Sequence, residues 1–149
     1  MKRRTFIAVT MAAVLVPAKT VSATATLVDV YKNPTCGCCG TWAKHLRFNG
    51  FQVSVNDTPD LDAVRAKVGI PPGLKSCHTA LVDGYVVEGH VPAADIRRLL
   101  SERPRALGLA VPGMPASAPG MDAPHASGYD VLLFQSDGAT RVYHAYPRT

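Results

Sequence analysis

The sequence predicts an α/β protein with a small sheet, because short β-rich runs alternate with segments of helical periodicity. The first run spans residues 26–31 (TLVDVY) and is rich in the side chains that favour strands. In the segment that follows, Cys39, Ala43 and Leu46 recur at helical spacing. Residues 51–57 (FQVSVND) then alternate apolar and polar side chains, which predicts a second strand.

The next elements continue this alternation. Residues 58–69 (TPDLDAVRAKVG) predict a second helix, with Thr58 as its cap and Pro59 at the first helical position. Its apolar face consists of Leu61, Val64 and Val68. Residues 79–89 (TALVDGYVVEG) predict two strands joined by an Asp-Gly turn, and residues 92–103 (PAADIRRLLSER) predict a third helix. The inward face of that helix consists of Ile96, Leu99 and Leu100.

The segment 104–128 differs in composition, since it contains five prolines and four glycines. It predicts a long connection without secondary structure, which in a compact domain is either functional or a flexible linker. Residues 129–147 return to strand patterns and predict a hairpin that turns at Asp137 and Gly138. We therefore expect residues 104–128, the Pro/Gly/Met loop, to be internal to one domain of residues 26–149.

Composition and charge exclude some classes of function. The chain is 47% hydrophobic and 18% charged, as expected of a globular protein. Four of its 16 Lys and Arg residues lie within residues 1–25, which contain no Asp or Glu. The remainder has 12 basic and 11 acidic residues, a formal charge of +1. This near-neutral charge argues against nucleic-acid binding.

Residues 1–25 have the pattern of a cleaved export signal. A basic start (MKRR) precedes an apolar run of 11 residues, and the small residues SATA follow it. The run is shorter than the ~20 residues that span a bilayer, so we expect cleavage and no stable membrane insertion. The RRTFI stretch matches the twin-arginine export signal, while an ordinary secretion signal stays open. Either route places the mature protein in an oxidising environment outside the cytoplasm.

Three of the four cysteines lie in the stretch NPTCGCCG, residues 33–40. Cys36 and Cys39 have the C-x-x-C spacing of a thiol–disulfide redox pair. They also fall where a helix begins, and a helix N-terminus stabilises a thiolate. Both are therefore candidate catalytic residues and candidate metal ligands. The alternative is a plain structural disulfide, although it would close too short a loop to stabilise the fold much.

The other two cysteines favour a metal site. A redox pair does not need Cys38, whereas a soft metal gains a third thiolate from it. Cys77 lies just before the predicted third strand, and His78 offers a nitrogen beside it. The element order β-α-β-α-β-β-α, with C-x-x-C after the first strand, resembles the thioredoxin fold, and this resemblance implies that all four cysteines converge. The alternatives are that Cys77 is a small buried residue and His78 a surface imidazole.

Copper fits this cysteine pattern better than zinc does. A zinc site is expected to use two separated C-x-x-C pairs, whereas here the split is three and one. Adjacent Cys38 and Cys39 would strain a tetrahedral site, while Cu(I) accepts two or three thiolates and bridging sulfurs. Met114 and Met121, in repeated Pro-Gly-Met stretches, add soft thioethers, with His125 just beyond. The alternative is that both methionines only fill gaps. His90 is interpreted as a capping or structural residue.

Four motifs in order resemble the CopG-like copper-resistance proteins over about residues 27–146: YKNPTCGCCGTW, SCHTALVDGYVVEGHVPA, VPGMP with PGM, and YDVLLF with DG. The resemblance implies a thioredoxin-like fold in the bacterial periplasm and a part in copper detoxification, with interconversion of Cu(I) and Cu(II). The implied ligands are Cys36, Cys38 or Cys39, and Cys77, with Met114 and Met121 as further candidates. We also expect several copper ions in a thiolate-bridged cluster, and contact with other periplasmic copper-handling proteins.

The favoured function is therefore a periplasmic copper-binding protein of copper resistance. A thiol–disulfide oxidoreductase that cycles Cys36 and Cys39 is the rival hypothesis. Delivery of copper to a partner protein is a third.

The export signal generates a direct prediction. The mature protein should begin at Thr24 or Thr26, because the small residues that suit a signal peptidase end there. N-terminal sequencing of periplasmic material tests this. A sequence that starts at Met1 would contradict cleavage and favour a membrane anchor.

Overall fold

The computed structural model describes residues 25–121, 123 and 127–147, whose strands form one mixed sheet. The predicted export signal, apart from Ala25, and His125 lie outside the described residues. The elements are β1 (Leu27–Lys32), α1 (Gly37–Phe48), β2 (Gln52–Asp57), α2 (Leu61–Val68), a 3-10 turn (Pro72–Leu74), β3 (His78–Val82), β4 (Tyr85–Glu88), α3 (Ala93–Glu102), β5 (Gly108–Ala110), β6 (Tyr129–Phe134) and β7 (Thr140–Tyr146). No helix in these ranges is long and apolar enough to cross a membrane.

The sheet has seven strands in the order β2-β1-β3-β4-β5-β6-β7. The pairs β1–β2 and β4–β5 are parallel, and the other neighbours are antiparallel. The α/β class is thus confirmed, and the elements as far as α3 follow the predicted order.

Helices cover both faces of the sheet because its strands place alternate side chains on opposite sides. On one face, Trp42 and Leu46 of α1 and Ile96 and Leu99 of α3 join the larger apolar core. On the other face, α2 and the 3-10 turn cover a smaller cluster around Phe134. The larger core therefore anchors α1, the helix that begins in the cysteine-rich stretch of residues 33–40.

The prediction that residues 104–128 lack secondary structure is wrong. β5 lies within this segment and pairs with β4 and β6 in the sheet. Leu109, Ala110 and Val111 are fully buried, so this short apolar run forms a strand despite the surrounding prolines and glycines. Residues 111–128 follow β5 in the chain, so the strand ties the start of this part of the loop to the sheet.

The prediction that Thr58 caps α2 is also wrong. The N-cap is Asp60, whose carboxylate accepts a hydrogen bond from the Ala63 amide at 2.9 Å. The Thr58 hydroxyl instead accepts from the Asp60 amide at 3.2 Å. Asp at this position satisfies one of the unpaired amides of the first turn. The buried side chain of α2 is Arg65, and the three predicted apolar residues are only half-buried.

Candidate metal centre

Strand pairing brings the four cysteines together at one end of the sheet. β1 and β3 are antiparallel neighbours, with Lys32 opposite His78, so the end of β1 lies beside the start of β3. Cys36 is the N-cap of α1, and Cys77 immediately precedes β3. The sulfur atoms of Cys36, Cys38, Cys39 and Cys77 all lie within 4.8 Å of one another. The predicted convergence of the thiols is therefore observed.

Within this cluster, Cys36 and Cys39 are joined by a disulfide, while Cys38 and Cys77 are free thiols. The sulfur of Cys38 lies 3.5 Å from that of Cys36 and 4.0 Å from that of Cys77. Cys39 is fully buried, whereas Cys38 is half-buried. The Cys38 thiol thus lies between the disulfide and Cys77, in contact distance of both.

Cys77 also contacts an imidazole that the sequence interpretation missed. His90 Nε2 lies 2.9 Å from Cys77 Sγ, and His90 Nδ1 lies 2.7 Å from the Pro119 carbonyl oxygen. A carbonyl oxygen only accepts, so Nδ1 carries the proton and Nε2 accepts from the Cys77 thiol. Burial lowers the pKa of His90 and so favours the neutral ring, while the hydrogen bond to the Pro119 carbonyl opposes this shift. Burial and the nearby Cys38 raise the pKa of the Cys77 thiol to about 12.

His78 is fully buried, which contradicts its interpretation as a surface imidazole. Its Nδ1 lies 3.4 Å from Cys77 Sγ, and its ring centroid is 4.2 Å from that of Trp42. Among the residues that the structure describes, Nε2 of His78 has no hydrogen-bond partner. Burial holds the pKa of His78 well below its usual value, so the ring is neutral near pH 7.

The register of the β3–β4 hairpin explains why His90 belongs to the site. Val82 is opposite Tyr85 across a two-residue turn, and the pairing continues to the Gly89 amide, which donates to the His78 carbonyl at 2.9 Å. Counting back from the turn then places Cys77 opposite His90. The sequence contained this signal. The Asp-Gly turn was predicted, and a two-residue turn determines which residues of the two strands lie opposite each other.

A buried ion pair holds the segment that carries Cys77. Arg65 Nε donates to the Glu88 carboxylate at 2.9 Å, and the Ser76 amide donates to the same oxygen at 2.7 Å. Arg65 also donates to the Ser76 carbonyl. Burial raises the pKa of Glu88, and hydrogen bonds from Thr79, Ser76 and Arg65 oppose that shift. Both backbone groups of Ser76 are therefore fixed, and the position of the adjacent Cys77 follows from them.

The later part of the 104–128 loop packs directly on the site. Pro119 supplies the carbonyl that binds His90, and a Cβ on Gly120 would lie 2.8 Å from the Trp42 amide nitrogen and 3.2 Å from the Cys38 carbonyl. Of the predicted thioether ligands, Met114 is 59% exposed and Met121 is half-buried. Both of these contacts use the backbone of the loop, and the placement of the methionines does not by itself make them ligands.

The close approach of Gly120 generates a prediction about the loop. Gly120→Ala should destabilise the protein by roughly 1–3 kcal/mol more than Gly113→Ala, because its Cβ overlaps the backbone of α1. Gly113 is a matched control: it also has a positive φ, but its Cβ would meet nothing within 4 Å. Urea unfolding and amide hydrogen exchange of residues 116–121 measure the difference. Equal effects of the two substitutions would contradict tight docking of the loop.

Comparisons with known proteins agree with this architecture. Residues 74–121 match the family model described as "Protein of unknown function, DUF411". Two solved structures, titled "Copper resistance protein copG", Form 1 and Form 2, are each 43% identical to this chain. Each covers 83% of this chain; the match spans 99% of the Form 1 chain, with a TM-score of 0.78, and 100% of the Form 2 chain, with a TM-score of 0.79. A search of curated proteins found no match. At this identity and coverage, the chain belongs to the CopG-like copper-resistance family.

Proposed function

We propose that this protein binds copper through its clustered cysteines and acts in copper resistance. The observation that carries the proposal is the approach of four cysteine sulfurs to within 4.8 Å, in a chain 43% identical to structures titled copper resistance protein. Thiolates are soft ligands that suit Cu(I), zinc and iron–sulfur clusters. The ligands proposed are Cys36, Cys38, Cys39 and Cys77, with several Cu(I) ions bridged by sulfur.

The donor set fits Cu(I) better than a single zinc ion. Cys38 and Cys39 are adjacent in the first turn of α1, where their Cα atoms are held by helical geometry. Two neighbours so constrained do not easily occupy two corners of one tetrahedron, which structural zinc requires. Sulfurs that bridge two- or three-coordinate ions avoid this constraint. The N-terminus of α1 also favours the negative charge of thiolates at Cys36 and Cys38.

The disulfide sets a condition for this function. Cys36 and Cys39 become ligands only after their bond takes up two electrons and two protons to give two thiols. The reverse reaction gives the proposed interconversion of copper: two Cu(II) ions each take one electron, the Cys36 and Cys39 thiolates form the disulfide, and two Cu(I) ions result. Cys38 and Cys77 remain as thiols that can hold the product.

The proposal includes the cell compartment and the finer fold. We expect a thioredoxin-like domain of residues 26–149 that works in the periplasm after export, by the twin-arginine or the general route. In that compartment it would exchange copper with other copper-handling proteins.

A thiol–disulfide oxidoreductase is the second candidate function, and the Cys36–Cys39 disulfide favours it. The sulfur of Cys38 is 3.5 Å from that of Cys36, a distance from which its thiolate could attack the bond. In this function the Cys36–Cys39 pair cycles, the other thiols resolve or regulate the exchange, and no metal is needed.

Replacement of Cys38 separates the two functions. Cys38→Ser should weaken Cu(I) binding by on the order of 100-fold or more, since loss of even an outer-shell partner costs about 10- to 100-fold. Exchange through Cys36 and Cys39 should persist. Anaerobic Cu(I) titration and a disulfide-reductase assay measure the two properties. Gly40→Ser is the control, because a Cβ there meets nothing within 4 Å and all four sulfurs remain. Wild-type copper content in Cys38→Ser would overturn the copper function.

The role of the methionines is tested separately. We expect Cu(I) to increase protection of residues 108–121 from amide hydrogen exchange, because thioether bonds from Met114 and Met121 would offset the conformational entropy lost when the loop is ordered. The double variant Met114→Leu/Met121→Leu keeps the apolar volume but removes both sulfurs, so it should lose this increase. Equal protection with and without Cu(I), in both proteins, with unchanged copper affinity, would show that the methionines are structural.

A further inference from the structure

We propose that Cys77, His78 and His90 form a second metal subsite, with one sulfur and two imidazole nitrogens, for a divalent cation of borderline softness. The subsite goes beyond the proposed function because it uses neither Cys36 nor Cys39. It is therefore complete in the state in which those two cysteines are disulfide-bonded, as they are in this structure.

The distances between the three donors suit a metal ion. Their ligand atoms lie within 4.8 Å of one another, with Cys77 Sγ 2.9 Å from His90 Nε2 and 3.4 Å from His78 Nδ1. Metal–sulfur and metal–nitrogen bonds of about 2.3 and 2.0 Å at a tetrahedral angle separate sulfur from nitrogen by roughly 3.5 Å. His78 already meets this separation, and His90 would need to move by roughly half an ångström.

His90 has the tautomer that a metal ligand requires. The Pro119 carbonyl accepts from Nδ1 at 2.7 Å, so the lone pair of Nε2 points toward Cys77. Histidine ligands in metal sites commonly donate their other N–H to a carbonyl or carboxylate in this way, which fixes the ring orientation. Pro119 thus supplies the outer contact of such a site.

His78 provides an independent observation. It is fully buried and neutral, one of its nitrogens faces Cys77, and the other has no hydrogen-bond partner among the described residues. Among the described residues, the only hydrogen-bond contact of the ring is therefore with the Cys77 thiol. Packing on Trp42 accounts for the apolar face of the ring but not for the polar edge that it turns to the thiol.

The donor chemistry identifies the class of ion. Imidazole nitrogen suits zinc, cobalt and Cu(II), and a thiolate adds affinity for the same borderline cations. Binding replaces the proton that Cys77 shares with His90: the divalent ion bonds to the thiolate, and one proton leaves to solvent. The fourth position is open to water or to Cys38, whose sulfur is 4.0 Å from that of Cys77.

Cobalt(II) is the probe of choice, because it reports tetrahedral sulfur ligation by its colour and does not oxidise thiols as Cu(II) does. The oxidised protein, with two free thiols verified by titration, should bind one Co²⁺ with sulfur-to-cobalt charge-transfer and tetrahedral ligand-field absorption, and should release one proton. His90→Gln and His78→Gln should each weaken binding at least about 10-fold, with folding checked by circular dichroism. His144→Gln is the control, since His144 pairs with Asp95 on α3 and is 44% exposed.

A further variant separates this subsite from the proposed copper cluster. Cys36→Ser/Cys39→Ser should lose most Cu(I) affinity but retain Co²⁺ binding. The inference is overturned if oxidised wild-type protein binds no Co²⁺. It is also overturned if both histidine variants bind Co²⁺ as wild type does, or if the double serine variant fails to bind it. Each of these results concerns Co²⁺ alone, whereas failure of the proposed function appears only in the Cu(I) titration.

Discussion

The antiparallel pairing of β3 with β1 and β4 is the constraint on which the metal centre depends. Pairing with β1 sets Cys77 beside the start of α1, where three cysteines lie in four positions. Pairing with β4 through a two-residue turn sets His90 across from Cys77. A slip of one residue in either register would reverse which side chains face the core and separate the donors. The site is therefore specified by backbone hydrogen bonds before any metal binds.

The buried Arg65–Glu88 pair makes this register rigid where it matters. It spans α2, β4 and the segment before β3, and it fixes the amide and the carbonyl of Ser76. A buried ion pair adds little net stability, because desolvation offsets the attraction, but loss of one partner leaves an unpaired buried charge. The ion pair matters here because it fixes the position of Ser76, and Cys77 is the next residue in the chain.

Much of the fold was predictable because local pattern and final structure agree there. The helices, β1 to β4 and the convergence of the thiols follow from periodicity, turn residues and the resemblance. β5 was missed because three apolar residues amid prolines carry too little local signal, and only pairing on both sides makes them a strand. The Pro119–His90 contact was missed because it joins residues 29 positions apart through a backbone carbonyl, which sequence does not mark.

Cys77 belongs to both proposed donor sets, the four-cysteine cluster and the subsite with His78 and His90. With Cys36 and Cys39 bonded, the donors left are two thiols and two neutral imidazoles, which suit borderline divalent ions. With the disulfide reduced, four thiols are available as ligands and the donor set becomes soft. Formation or reduction of this one disulfide would then change which metal ions the site prefers, without any rearrangement of the sheet. Cys38 lies in contact distance of both Cys36 and Cys77 and so links the two donor sets. A C-x-x-C pair alone would leave the disulfide without this link to Cys77.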